Sequence, residues 1–150
     1  MRHLDADDFY WLPTDPPYAQ KRDPQERGSL LRAELFRQAD VVLSGSIVGW
    51  GSDVEEAFDL VVFLWLPAPI RVERLERRER MRFGVADPKF LEWARQYDEG
   101  PAEGRSLAKH NAWLNARRCP VLRLEDDASV SVRAARVLEA LSRLRAAGTG

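Results

Sequence analysis

The sequence predicts an α/β fold in which short parallel strands alternate with helices. Apolar runs at Val41–Leu43 and Leu60–Leu66 are continuous rather than alternating. That pattern suits strands covered on both faces of a parallel sheet. A third run, Val121–Leu124, follows Pro120 and stops at acidic residues. The segments between the runs carry helical spacing and helical end signals, and strand–helix alternation means a layered sheet. At 150 residues, 45% hydrophobic and 31% charged, the chain reads as one globular domain spanning residues 1–150.

The elements can be justified in chain order. Arg2–Asp5 reads as the tail of a fourth strand. Asp23-Pro24-Gln25-Glu26 reads as N-cap, N1, N2 and N3 of a helix. Proline sits where its missing N–H is harmless, and Glu26 is placed to complete a capping box. Leu31 and Leu35 mark the apolar stripe. A second helix starts at Pro69 and runs to about Phe83, with Gly84 as its stop. Asp87-Pro88 repeats the cap-plus-proline signal, and Phe90, Leu91, Ala94 and Tyr97 follow at helical spacing. The next helix is expected from about Gly104 to Ala116, with Leu107, Asn111 and Leu114 in line. The last shows Val130, Ala134, Leu138, Leu141 and Leu144 on one side. Asp126 and Asp127 most simply cap it, and Ala146–Gly150 reads as a frayed tail.

Composition excludes several classes of function. Lys+Arg 23 against Asp+Glu 24 leaves a net charge of −1, which favours neither nucleic acid nor an anionic membrane. No apolar run approaches the roughly 20 residues of a membrane helix, and the N-terminus is acidic and aromatic rather than a signal region. Cys119 is the single cysteine, so no intrachain disulfide forms; this fits a reducing cytosol, and a cytoplasmic protein is expected.

In open parallel sheets, ligands bind beyond the carboxyl ends of the strands. The residues of interest are therefore those after each run: Asp5 onward, Ser44-Gly45-Ser46, Pro67 onward and Glu125-Asp126-Asp127. The opening Asp5-Ala6-Asp7-Asp8-Phe9-Tyr10-Trp11 sets three carboxylates beside three rings. If a strand continues through it, Asp5 and Asp7 project to the same side. Two such carboxylates can hold a hydrated Mg²⁺ or accept hydrogen bonds from substrate hydroxyls. The competing reading is an acidic helix cap or turn. Trp11 and Trp50 follow strand ends and read either as walls of an acceptor pocket or as half-buried packing. Trp65, Trp93 and Trp113 read as core or half-buried platforms. His110 reads as a packed or capping histidine rather than a catalytic one, and no metal-ligand spacing joins it to His3.

His3 through Trp11 with Pro13-Thr14 resembles the adenylate-kinase-like bacterial P-loop kinases, a group often classed with AAA-family ATPases. Val42-Leu43-Ser44-Gly45-Ser46 with Gly49-Trp50-Gly51 resembles a strand and loop of the same group. Phe58–Leu64 with Arg71, Arg74-Leu75, Arg77, Arg80 and Arg82-Phe83-Gly84 resembles its lid-entry segment. Tyr97-Asp98, Arg105-Ser106, His110, Trp113-Leu114 and Pro120-Val121-Leu122 continue the likeness over nearly the whole chain. The resemblance implies a three-layer parallel sheet of the P-loop nucleoside/nucleotide kinase type, with a lid-like insertion at 84–104. It implies an ATP- and Mg²⁺-dependent transferase acting on a nucleotide or other small hydroxylated acceptor. Asp5 would act through metal-bound water. Asp7, Tyr10, Trp11 and Trp50 would bind the acceptor, Arg80 and Arg105 the transferring phosphoryl group, and Asp126 would border the adenine.

The group's first strand, GxxxxGK[ST] loop and first helix have no counterpart in these 150 residues. That loop supplies the backbone N–H groups and the lysine that grip the phosphates. Ser44 also stands where many P-loop proteins carry a metal-holding aspartate. The chain is therefore expected to be inactive by itself, as a truncated gene product, a misassigned start or a degenerate relative acting as a binding module. Sheet left uncovered by the missing strand would favour self-association.

The segment Arg71–Arg82 holds six arginines and three glutamates. Its plain reading is a solvated helix face with i,i+4 pairs such as Glu73–Arg77 and Glu76–Arg80. The interleaved glutamates argue against a nucleic-acid surface.

Overall fold

The computed structural model describes residues 1–37, 40–100 and 105–148. The chain divides into two compact units, residues 1–58 and 59–150. Each contains one pair of parallel strands.

The first unit contains β1 (Arg2–Asp5), α1 (Ala6–Tyr10), α2 (Pro24–Arg37), β2 (Val41–Ser44) and α3 (Ser52–Glu55). β1 and β2 pair in parallel register, Arg2 opposite Val41 through to Asp5 opposite Ser44. α2 lies in the crossover that parallel strands require. Asp23 caps α2 as expected, its Oδ1 accepting from the Gln25 and Glu26 N–H groups at 2.9 and 3.1 Å. The capping box is completed differently. The Glu26 carboxylate pairs with Arg22 at 2.9 Å instead, and the Arg22 Nε–H also reaches the Phe9 carbonyl at 3.1 Å. Leu4, Ala6, Leu31, Ile47 and Val54 form the core, with Leu31 wholly buried.

The second unit contains β3 (Val61–Leu64), α4 (Ala68–Phe83), α5 (Pro88–Arg95), α6 (Leu107–Asn115), β4 (Val121–Leu124) and α7 (Val130–Gly148). β3 and β4 pair in parallel from Val61 opposite Val121 to Leu64 opposite Leu124. Phe63, Val72, Ala86, Ala94, Leu114 and Leu124 are buried. Gly84 ends α4 in the left-handed region at φ 76°, its N–H bonded to the Arg80 carbonyl. Asp87 caps α5 by accepting from the Lys89 N–H at 2.8 Å.

The structure departs from the sequence expectations at several points. The described strands form two two-stranded parallel ladders, one in each unit. The apolar runs are not covered throughout: Val42 is 45% and Leu64 60% exposed. α6 begins at Leu107 rather than near Gly104, because the buried Ser106 hydroxyl accepts from the Lys109 N–H and sets the cap. Gly104 and the last part of the lid-like segment, 101–104, lie outside the described residues. α7 is capped by Ser129, whose hydroxyl accepts from the Val132 N–H at 3.3 Å, and not by Asp126 or Asp127. The half-buried stripe of α7 is Arg133, Val137, Ala140, Leu141 and Leu144, while Val130, Ala134 and Leu138 of the predicted stripe are exposed. Ala146–Gly148 continue α7 rather than fray; residues 149–150 lie outside the described set.

Candidate functional site

In the first unit the parallel register sets Asp5 and Ser44 side by side at the carboxyl ends of their strands. Asp5 ends β1 because its carboxylate turns back to cap α1, accepting from the Asp7 N–H at 3.0 Å. The chain is helical from Ala6, so Asp7 lies on α1. The strand alternation that would aim Asp5 and Asp7 to one side therefore does not extend that far. Ser44 Oγ lies 3.0 Å from His3 Nε2. The following Gly45 has φ 104°, and a Cβ there would fall 2.7 Å from the Ala6 Cβ. Its missing side chain makes room for α1 against the strand end.

Aromatic residues gather beside this end of the strands. Tyr10 stacks with Trp50 at 6.2 Å between centroids and meets Trp11 edge-on at 4.9 Å. Trp11 in turn meets Tyr18 at 5.9 Å. Trp50 is brought in by a turn in which its N–H bonds the Ile47 carbonyl. The Glu55 carboxylate fixes that turn, accepting from the Trp50 and Gly51 N–H groups at 2.9 and 3.3 Å. The structure thus brings together Tyr10, Trp11 and Trp50. It also adds a residue the sequence did not single out, Arg27, whose guanidinium lies 4.9 Å from the Tyr10 ring and 4.8 Å from the Trp50 ring. Lys21 Nζ sits 5.8 Å over Tyr10. Arg27 lies on the first turns of α2, just after the Asp23–Glu26 cap signal, which marks a helix start and says nothing of a ligand.

In the second unit Arg80 binds Glu76 of its own helix, at 2.7 Å, as the plain i,i+4 reading anticipates. Arg105 lies 5.8 Å from the Trp93 ring. Asp126 accepts from the Ala128 N–H at 3.3 Å and pairs with Arg136 of α7. The Arg136 hydrogen bond holds its carboxyl below the usual range.

The densest polar network of this unit was only partly visible in the sequence. Arg71 donates to both oxygens of Asp98, at 2.9 and 3.4 Å, and to the Leu66 and Ala94 carbonyls at 2.7 and 3.2 Å. The Trp65 indole N–H reaches Asp98 at 2.8 Å. Burial alone would raise the Asp98 pKa, but the hydrogen bonds from Arg71 and Trp65 outweigh it and hold the carboxyl below its ordinary value. The Arg71 guanidinium lies over the Tyr97 ring at 5.0 Å, and Tyr97 Oη meets His110 Nδ1 at 2.6 Å. Burial pushes Tyr97 up to about 12 and, with the Arg105 cation nearby, His110 down to about 4. Both are thus neutral near pH 7, and the tautomer of the imidazole sets which of the two donates. His110 is a packed residue, as its helical register suggested.

Among the described residues, no three His, Cys, Asp or Glu side chains come together as a metal-binding group. No helix among them is long and apolar enough to cross a membrane. Two glycines near the strand ends are closely approached: a Cβ at Gly45 would meet the Ala6 Cβ, and one at Gly51 would lie 3.1 Å from the Asp53 carboxylate.

These features define an α/β protein with an aromatic, cation-bearing cluster at the carboxyl ends of a parallel strand pair. The chain is 44% identical over 150 residues to the uncharacterized protein YqaC of Bacillus subtilis (strain 168), a match covering 93% of this chain and 83% of the relative. It belongs to the family of that protein. No family model matches the chain, and no solved structure does.

Proposed function

We propose that this chain carries the acceptor side of a P-loop-kinase-like phosphotransferase of the nucleoside/nucleotide kinase type. Its acceptor is a nucleotide or other small hydroxylated molecule, its phosphoryl donor is ATP with Mg²⁺, and its sheet belongs to the three-layer class. The observation that carries the reading is the Tyr10–Trp11–Trp50 ring cluster, built from the segments that follow β1 and β2, whose carboxyl ends carry Asp5 and Ser44. Rings of this kind bury a planar or apolar body, and a carboxylate beside them orients a hydroxyl. Asp5 keeps an oxygen beyond the one that caps α1, available to a metal-bound water. Asp7, exposed on α1, is the acceptor-orienting carboxylate. Arg80 and Arg105 balance charge on the transferring group, Arg80 by leaving Glu76. Asp126 borders the donor's base. Because the sequence carries no GxxxxGK[ST] pattern, this reading needs a glycine-rich loop supplied in addition to these residues to hold the donor's phosphates.

The absence of GxxxxGK[ST] from the sequence favours a second reading, a non-catalytic binding module of the same fold. One pair of titrations separates the two. MgATP is titrated against this chain and against a longer chain with a strand, GxxxxGK[ST] loop and helix ahead of Met1. The kinase reading expects saturable binding only in the longer chain, weakened by Arg80→Gln and by Arg105→Gln. No binding by the longer chain leaves the module reading. Unchanged affinity in both arginine variants removes them from the site.

A further inference from the structure

The five arginines of the first unit do not share one environment. Arg2, Arg22, Arg32 and Arg37 each hold a carboxylate, on Glu34, Glu26, Asp53 and Glu34, at 2.8 to 3.0 Å. Arg27 has no such partner among the described residues. Its guanidinium rests on the rings of Tyr10 and Trp50, and its Nε is buried with no hydrogen-bond acceptor. Gly28, next to it, packs its Cα side toward the Trp50 carbonyl, where a Cβ would lie 3.4 Å away. The second cation on Tyr10, Lys21, likewise has no ion pair among the described residues, its ammonium 5.8 Å from that ring.

A guanidinium set on aromatic rings keeps its charge, because the rings attract it without neutralising it. Its in-plane N–H groups stay available for an acceptor in a fixed orientation. That fork matches the two oxygens of a carboxylate or phosphate. A buried N–H with no acceptor is unfavourable unless something completes it. Here the unmet donor and the uncompensated charge sit on the Tyr10–Trp50 pair, and a second cation lies over Tyr10.

We infer that Arg27 is an anion-binding residue, with Lys21 as the neighbouring cation, and that the small molecule bound at the Tyr10–Trp50 cluster carries a phosphate or carboxylate group. The inference rests on the acceptor-pocket reading above and deepens it by assigning the acceptor a charge and placing that charge. The acceptor's ring or apolar body then lies against the aromatic residues, and its anionic group meets the guanidinium edge.

The test needs neither ATP nor a phosphate loop. The indole N–H resonances of Trp11 and Trp50 are followed by heteronuclear NMR while the whole chain is titrated, in one arm with inorganic phosphate and in the other with acetate, at constant ionic strength. Saturable shifts confined to these two indoles are expected in at least one arm, and the responding arm names the anion class. Arg27→Gln is expected to weaken the response about tenfold or more. Arg27→Lys, which keeps the charge and the ring contact but loses the fork, is expected to fall between the two. Arg32→Gln, which removes an arginine already paired with Asp53, is expected to titrate as the unaltered chain does. Should Arg27→Gln lose its dispersed indole spectrum, the Arg27→Lys comparison decides. No saturable shift in either arm, or equal titration by the Arg27 variants, overturns the assignment. Such a failure leaves the phosphotransfer reading standing on the separate ATP titration.

Discussion

At the scale of single residues, the clearest physical signal is the pair Tyr97–His110. Burial of the imidazole, with the Arg105 cation nearby, lowers the His110 pKa from 6.5 to about 4. The unfolded chain therefore takes up a proton below pH 6.5 that the folded chain refuses until about pH 4. The unfolded state binds more protons in this window, so stability rises with pH through it. The contribution is complete above the unfolded value and is lost as pH falls. At 1.36 kcal/mol per pKa unit, reduced because the ring is only partly buried and solvent screens it, the loss by the lower limit is on the order of 1 to 3 kcal/mol. Urea unfolding across this range should show that decline in the unaltered chain. His110→Asn should be less stable at neutral pH, having lost the bond to Tyr97, and should decline less steeply on acidification. Parallel pH profiles for the two proteins would show that His110 is not the titrating group.

At the scale of elements, local hydrogen bonds were readable and distant ones were not. The caps at Asp23 and Asp87 and the stop at Gly84 join residues two to four apart, and each formed where the sequence placed it. The cap of α7 was misplaced because Asp126, Asp127 and Ser129 compete within a few residues, and arginines draw the two acids away. Asp127 pairs with Arg74 and Asp126 with Arg136. The cluster of the first unit was legible as composition, since Tyr10 and Trp11 stand beside Asp5 and Trp50 follows a strand. Its assembly was not, because Tyr10 and Trp50 meet only once β1 and β2 are in register. Arg27 on its rings and, in the second unit, the Arg71–Asp98 pair likewise join residues far apart in sequence, for which single-sequence periodicity carries no signal. Gly45 is where one such contact can be tested. Its φ of 104° disfavours any side chain, and a Cβ would strike the buried Ala6 at 2.7 Å. Gly49 has φ 79° but open space around it. Gly45→Ala should destabilise the first unit by about 2 to 3 kcal/mol, through overpacking as well as backbone strain. Gly49→Ala, which meets only the backbone term, should cost about 1 kcal/mol. Equal effects on the unfolding midpoint would mean that α1 does not press on the end of β2.

At the scale of the whole molecule, the chain has two hydrophobic cores, and their composition separates cleanly. Leu4, Ala6, Leu31, Ile47 and Val54 belong to residues 1–58; Phe63, Val72, Ala86, Ala94, Leu114 and Leu124 belong to residues 59–150. Both are small, and a unit of about 60 residues buries too little of its surface to tolerate the loss of a central side chain. Leu31 is the most buried residue of the first core, on the face of α2 opposite solvent. Removing three of its carbons leaves a cavity, and Leu→Ala changes at such positions cost about 2 to 5 kcal/mol. The tryptophans make the consequence observable unit by unit, because Trp11 and Trp50 lie in the first and Trp65, Trp93 and Trp113 in the second. Leu31→Ala should collapse or broaden the Trp11 and Trp50 indole resonances. The Trp65 signal, held by its 2.8 Å bond to Asp98, should persist. Simultaneous loss of all five would show that the two cores unfold as one cooperative body, and a single two-state transition would then describe the chain.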